Sequence, residues 1–185
     1  MGVKKFMKPE ILALVVVCLL FNLGIGALLA VIRLPFYLDS IGTVISSFVA
    51  GPIVGIVVGL ASVLFGAIYT PTLPAYAGTA IVIAIYTSIF RKFGYLRKIG
   101  WTIVFGIGLG VATAIASAPV TAFVYGGVSI SGTDAITAFF AATGRNILES
   151  VVLSGLASDP FDKLVTSIIV FLLVRRLPPK WKSEK

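Results

Sequence analysis

The stretch ILALVVVCLLFNLGIGALLAV, residues 11–31, decides the fold. It contains no charge and is long enough, as a helix, to cross a hydrocarbon core of about 30 Å. It is also too long for the core of a signal peptide and lacks a small-residue cleavage site with a polar flank, so it reads as a retained helix. Neither end carries a lipidation motif.

Further apolar runs follow at Phe36–Ala50, Ile53–Tyr69, Ala75–Phe90, Trp101–Tyr125, Ala135–Ala157 and Leu164–Val174. Across all 185 residues, 58% are hydrophobic and 12% charged, with a mean hydropathy of +1.09. Soluble domains carry about 25% charged residues, and no water-soluble core absorbs this much apolar side chain. The expectation is a single all-α integral membrane domain spanning residues 1–185 and embedded in a lipid bilayer.

Basic residues group at Lys4, Lys5 and Lys8, at Arg91, Lys92, Arg97 and Lys98, and at Arg175, Arg176, Lys180, Lys182 and Lys185. They punctuate the apolar runs and form no stripe with interleaved aromatics, so no nucleic-acid partner is expected. Short basic loops stay in the cytoplasm, which puts all three groups on one face and demands an even number of crossings between them.

Four crossings between the first two groups require the region Phe36–Tyr69 to be two short helices meeting near Gly51-Pro52, rather than one long kinked helix. Between the second and third groups, Trp101–Tyr125 and Leu164–Val174 already supply two. Ala135–Ala157 is therefore expected not to span, and its Arg145, Asn146 and Glu149 agree, because polar groups are costly in mid-membrane. The expectation is six transmembrane helices plus a non-spanning outer helical segment before the last helix, with both termini cytoplasmic in the cell membrane. The charges then divide as +10 inside and −2 outside, which together make the net +8.

Polar side chains gather at the outer helix ends. Tyr37, Asp39, Tyr76, Arg145, Asn146, Glu149, Asp162 and Lys163 form the set from which contacts to a small-molecule substrate are expected. An ordinary aromatic belt, or a local ion pair between Arg145 and Glu149, would account for some of them without a ligand. The run Ser158–Lys163 reads as an outer segment entering the last helix, with Asp162 placed to cap its exposed amides. Glycines at four-residue spacing (Gly51, Gly55 and Gly59; Gly106 and Gly110), and Gly26 with Ala30, suit close helix packing, and one such row could dock another membrane subunit.

Several chemistries are missing. The single Cys18 excludes a disulfide framework and a thiolate metal site, and histidine is absent, which removes the usual metal ligand and general base. No phosphate-binding Gly-Lys-Ser/Thr loop and no nucleophile-and-base set occur. No cofactor, no metal and no enzymatic activity are expected, and a transporter of this kind would need an energising partner.

The run Leu38-Asp39-Ser40-Ile41-Gly42-Thr43, followed by Gly51-Pro52-Ile53-Val54-Gly55 and Gly59, resembles the early signature of the substrate-binding S components of energy-coupling factor (ECF) vitamin importers. The late run Asp159-Pro160-Phe161-Asp162-Lys163, with Arg175-Arg176-Leu177-Pro178 after the last apolar stretch, is similar to that family's final segment. The riboflavin-type branch is the nearest. Asp162 stands where that branch has an asparagine, and an acceptor-only carboxylate does not donate to a flavin edge as an amide does.

The resemblance implies a six-helix protein with an outward pocket built from the first outer loop, the later helices and the outer loop before the last helix. It implies as partners a membrane coupling subunit and two cytoplasmic ATPase subunits, a vitamin or vitamin precursor as substrate, and a docking role for Gly26 and Ala30. A membrane ligand-sensor that regulates a partner protein is the competing expectation.

Overall fold

The computed structural model describes residues 8–32, 37–96, 98–128 and 133–177. Among the described residues every regular element is helical. Helix α1 is Pro9–Ile32, α2 is Ile41–Ala50 and α3 is Pro52–Gly66. A single 3-10 turn, Leu73–Tyr76, leads into α4, Ala77–Arg91. Helix α5, Ile99–Pro119, ends in a π-helical turn, Val120–Val124. Helices α6, Asp134–Ala142, and α7, Ile147–Arg176, complete the chain.

The α2–α3 corner forms as its sequence dictates. Gly51 has φ 94° and ψ 178°, a conformation that side chains disfavour, and Pro52 opens α3 where its missing N–H costs nothing. All of α2 except Phe48 is buried, because α1, α3, α4 and α7 surround it. Its Ser46 and Ser47 survive there by donating to the carbonyls of Gly42 and Thr43, one turn back.

Glycines set the spacing between helices. A methyl on Gly55 would strike Ser47, one on Gly42 would strike the Cys18 backbone, and one on Gly110 would strike the backbone of Pro160 and Asp159. On Gly106 it would lie 2.9 Å from Cα of Leu164. Helices α5 and α7 therefore touch backbone to backbone, and their contact is the most extensive in the fold.

Three stretches are long and apolar enough to cross a membrane: Pro9–Leu29, Leu73–Arg91 and Ile99–Val124. Helices α2 and α3 are apolar but shorter. Outward-facing Leu12, Val16, Leu20 and Leu28 on α1, and Val104, Ile107 and Ile115 on α5, leave broad apolar faces of a kind compatible with a bilayer and unusual on a soluble monomer.

The C-terminal third departs from the expectation. Ala135–Ala157 is not one segment ahead of a last helix at Leu164: α6 stops at Ala142, the chain turns through Gly144 at φ 85°, and a single 30-residue helix runs from Ile147 to Arg176. Residues 158–163 are the middle of that helix and not a loop, so Asp162 caps no helix start. Asn146 is the cap, accepting from the Glu149 amide at 2.9 Å. Pro160 deletes one internal hydrogen bond, but the α5 backbone lies directly against it and holds the helix through that turn.

Candidate functional site

Asp159, Asp162 and Lys163 lie on the inward side of α7 and are 9%, 1% and 4% exposed. Asp162 uses both oxygens. Its Oδ1 accepts from the backbone amides of Tyr37 and Leu38, both at 2.9 Å, and its Oδ2 takes the Lys163 ammonium. Two successive amides converging on one anionic oxygen form a nest. Leu38, at φ 42°, is the described non-glycine residue in the left-handed region, and the two bonds to Asp162 hold that strained turn in place.

Asp39 follows at once. Its Cβ is the close neighbour of Gly26, six residues before the end of α1, so the chain has turned back about 9 Å into the bundle at 1.5 Å per residue. Asp39 is half-buried, and the loss of water around its carboxyl pushes its pKa up; Lys163 opposes the shift and Asp162 reinforces it. The Tyr69 hydroxyl approaches the same face of Gly26 as Asp39, and its pKa is raised by burial and then by the charge of Asp39. Asp159 accepts from Ser158 Oγ at 3.3 Å.

A belt of neutral hydrogen bonds supports this charged layer. Asn22, 1% exposed in α1, donates to Thr43 Oγ1 at 3.0 Å and Ser62 Oγ at 2.9 Å and accepts from the Gly42 amide at 2.6 Å. One amide thus ties α1 to α2 and α3, and each bond is made inside apolar surroundings where a missing partner would be expensive.

Of the eight residues expected at a pocket, four come together: Tyr37, Asp39, Asp162 and Lys163. Tyr37 also pairs its hydroxyl with Thr133 Oγ1 at 3.0 Å. Tyr76 belongs to a second group, bonded to Thr121 Oγ1 at 2.8 Å and stacked on Tyr125, whose hydroxyl donates to the Thr72 carbonyl. Arg145, Asn146 and Glu149 are exposed at the start of α7. Sixteen residues separate Asn146 from Asp162, about 24 Å of helix, so these three do not share the buried cluster.

Gly26, expected on a docking face, is buried, with Tyr69 Oη 3.0 Å and Asp39 Cβ 3.2 Å from where its Cβ would be, and it serves the internal fit of the turn at Asp39. The side chain of Ala30 lies outside the described residues.

Sequence reasoning left Asp159 out of the candidate site and passed over Asn22. A signal for Asp159 was present: Asp159, Asp162, Lys163 and Thr166 fall at i, i+3, i+4 and i+7, one face of a helix. Nothing in the sequence marks Asn22, since its partners come from helices 21 and 40 residues away.

No family model, no curated protein and no solved structure matches this chain.

Proposed function

We propose that this chain is the membrane subunit that captures a small-molecule substrate, a vitamin or vitamin precursor, for an ATP-driven importer of the energy-coupling factor kind. The observation that carries the reading is the bond from Asp162 to the amides of Tyr37 and Leu38. It joins the two stretches of sequence that resemble the S components, residues 38–43 and 159–163, although the bonded residues lie more than 120 positions apart. Two buried carboxylates, the half-buried Asp39 and an ammonium at that junction are the kind of intramembrane polar group that marks a substrate path.

In this reading α1 to α5 and α7 make six crossings, α6 lies on the outer side, and both termini are cytoplasmic. Helix α2 is short because the chain re-enters the bundle before it begins. The partners are a membrane coupling subunit and two cytoplasmic ATPases, since this sequence contains no phosphate-binding loop of its own.

The test is uptake in cells. Expressed with the coupling subunit and the ATPases, the chain drives accumulation of its ligand; expressed without them, it binds ligand and accumulates none. Concentrative uptake by the purified chain alone in ATP-free vesicles would overturn the proposal.

A further inference from the structure

We propose that the Asp39 side of the buried cluster binds the positively charged end of an organic cation, a protonated amine or a cationic nitrogen heterocycle. The inference rests on the capture-subunit reading and names the substrate class for it.

Charge is the first argument. Asp39, Asp159 and Asp162 face a single ammonium, Lys163, and the four carry a formal charge of −2 within the bundle. Lys163 is bonded to Asp162, whose other oxygen is filled by two backbone amides, so that carboxylate is spent. Asp39 is not. Apart from its own backbone amide, its carboxyl has no hydrogen-bond or ion-pair partner among the described residues, and Lys163 acts on it only through the longer-range field. A carboxylate drawn partly out of water and left without a partner gains most from a cation that also donates hydrogen bonds.

Unfilled hydroxyls are the second and independent argument. Ser40 Oγ, next to Asp39, and Thr166 Oγ1, on the same α7 face as Asp159 and Asp162, are buried and have no partner. Most serines and threonines within these helices donate to a carbonyl one turn back, as Ser62, Ser88, Ser158 and Ser167 do. Thr166, at 0% exposure, does not. Helical side chains lean toward the N-terminus, which for Thr166 means toward Asp162 and Lys163. Two buried hydroxyls without partners, one on the residue after Asp39 and one on the α7 face that carries Asp162 and Lys163, suit the N–H groups around a charged nitrogen.

The geometry favours an organic cation over a metal ion. Among the described residues no three carboxylate, thiolate or imidazole groups are close enough to share a metal.

The experiment uses the full chain in lipid nanodiscs. The low-molecular-weight fraction of a cell extract is split at pH 7 into cation-exchanger-bound, anion-exchanger-bound and unretained pools, and each pool is the probe. Captured compounds are released and identified by mass. The expected result is capture from the cationic pool, reduced at least tenfold in Asp39→Asn with thermal unfolding unchanged. Capture from the neutral or anionic pool only, or undiminished capture by Asp39→Asn, overturns the cation assignment and leaves the capture-subunit reading standing. Capture from no pool overturns both. Should Asp39→Asn fail to fold, Thr166→Val decides: several-fold weaker capture supports the site, and unchanged capture overturns it.

Discussion

Asp162 has three donors on two oxygens, so replacing it with alanine removes the acceptor of two amides and strands the Lys163 ammonium in a dry interior. Breaking a buried pair from one side costs about 3–5 kcal/mol. Asp162→Ala is expected to lower stability by about that much, measured by denaturant unfolding in detergent, and to free the strained turn at Leu38 for proteolysis. Asn146 makes the opposite case. It is exposed and its side chain accepts from the Glu149 amide, so Asn146→Ala should cost about 1 kcal/mol, the usual value of an N-cap, and leave ligand affinity unchanged. Equal losses of affinity in Asn146→Ala and Lys163→Ala would show that the start of α7 belongs to the binding site after all.

At the scale of elements, the α5–α7 pair depends on Gly106 and Gly110, where the two backbones meet. Gly110→Val drives a branched side chain into Pro160 and Asp159 and should abolish the folded protein, read as loss of the monodisperse peak in detergent; Gly100→Val, at an open position on the same helix, should not. These contacts explain what the sequence made legible. Glycines at four-residue spacing announced close packing, and Gly51-Pro52 announced the corner between α2 and α3, because both signals are local consequences of backbone sterics. The path of α7 was hidden for the same reason. Pro160 flanked by aspartates reads locally as a loop, and only the α5 backbone lying against it, contributed from 50 residues earlier, keeps the helix continuous. Half of the site was visible through Asp39, Asp162 and Lys163. Its support was not, since Asn22 acquires meaning only when Thr43 and Ser62 are brought to it.

For the whole molecule, the six-crossing reading places Ala141, at the exposed end of α6, and Lys92, after α4, on opposite sides of the membrane. With Cys18 replaced by alanine, an impermeant maleimide added to intact cells should label Ala141→Cys and not Lys92→Cys until the cells are opened. Labelling of both from outside would break the parity on which the topology stands. The polar middle of α7 has a consequence for biogenesis. An aspartate or lysine at the centre of a helix costs about 2.5–3.5 kcal/mol at the translocon, and α7 carries Asp159, Asp162 and Lys163 together. Presented alone, this helix is a poor candidate for insertion. Its partners, the amides of Tyr37 and Leu38, are synthesised more than 120 residues earlier, so the final step of assembly waits on a receptor that the first part of the chain has already folded.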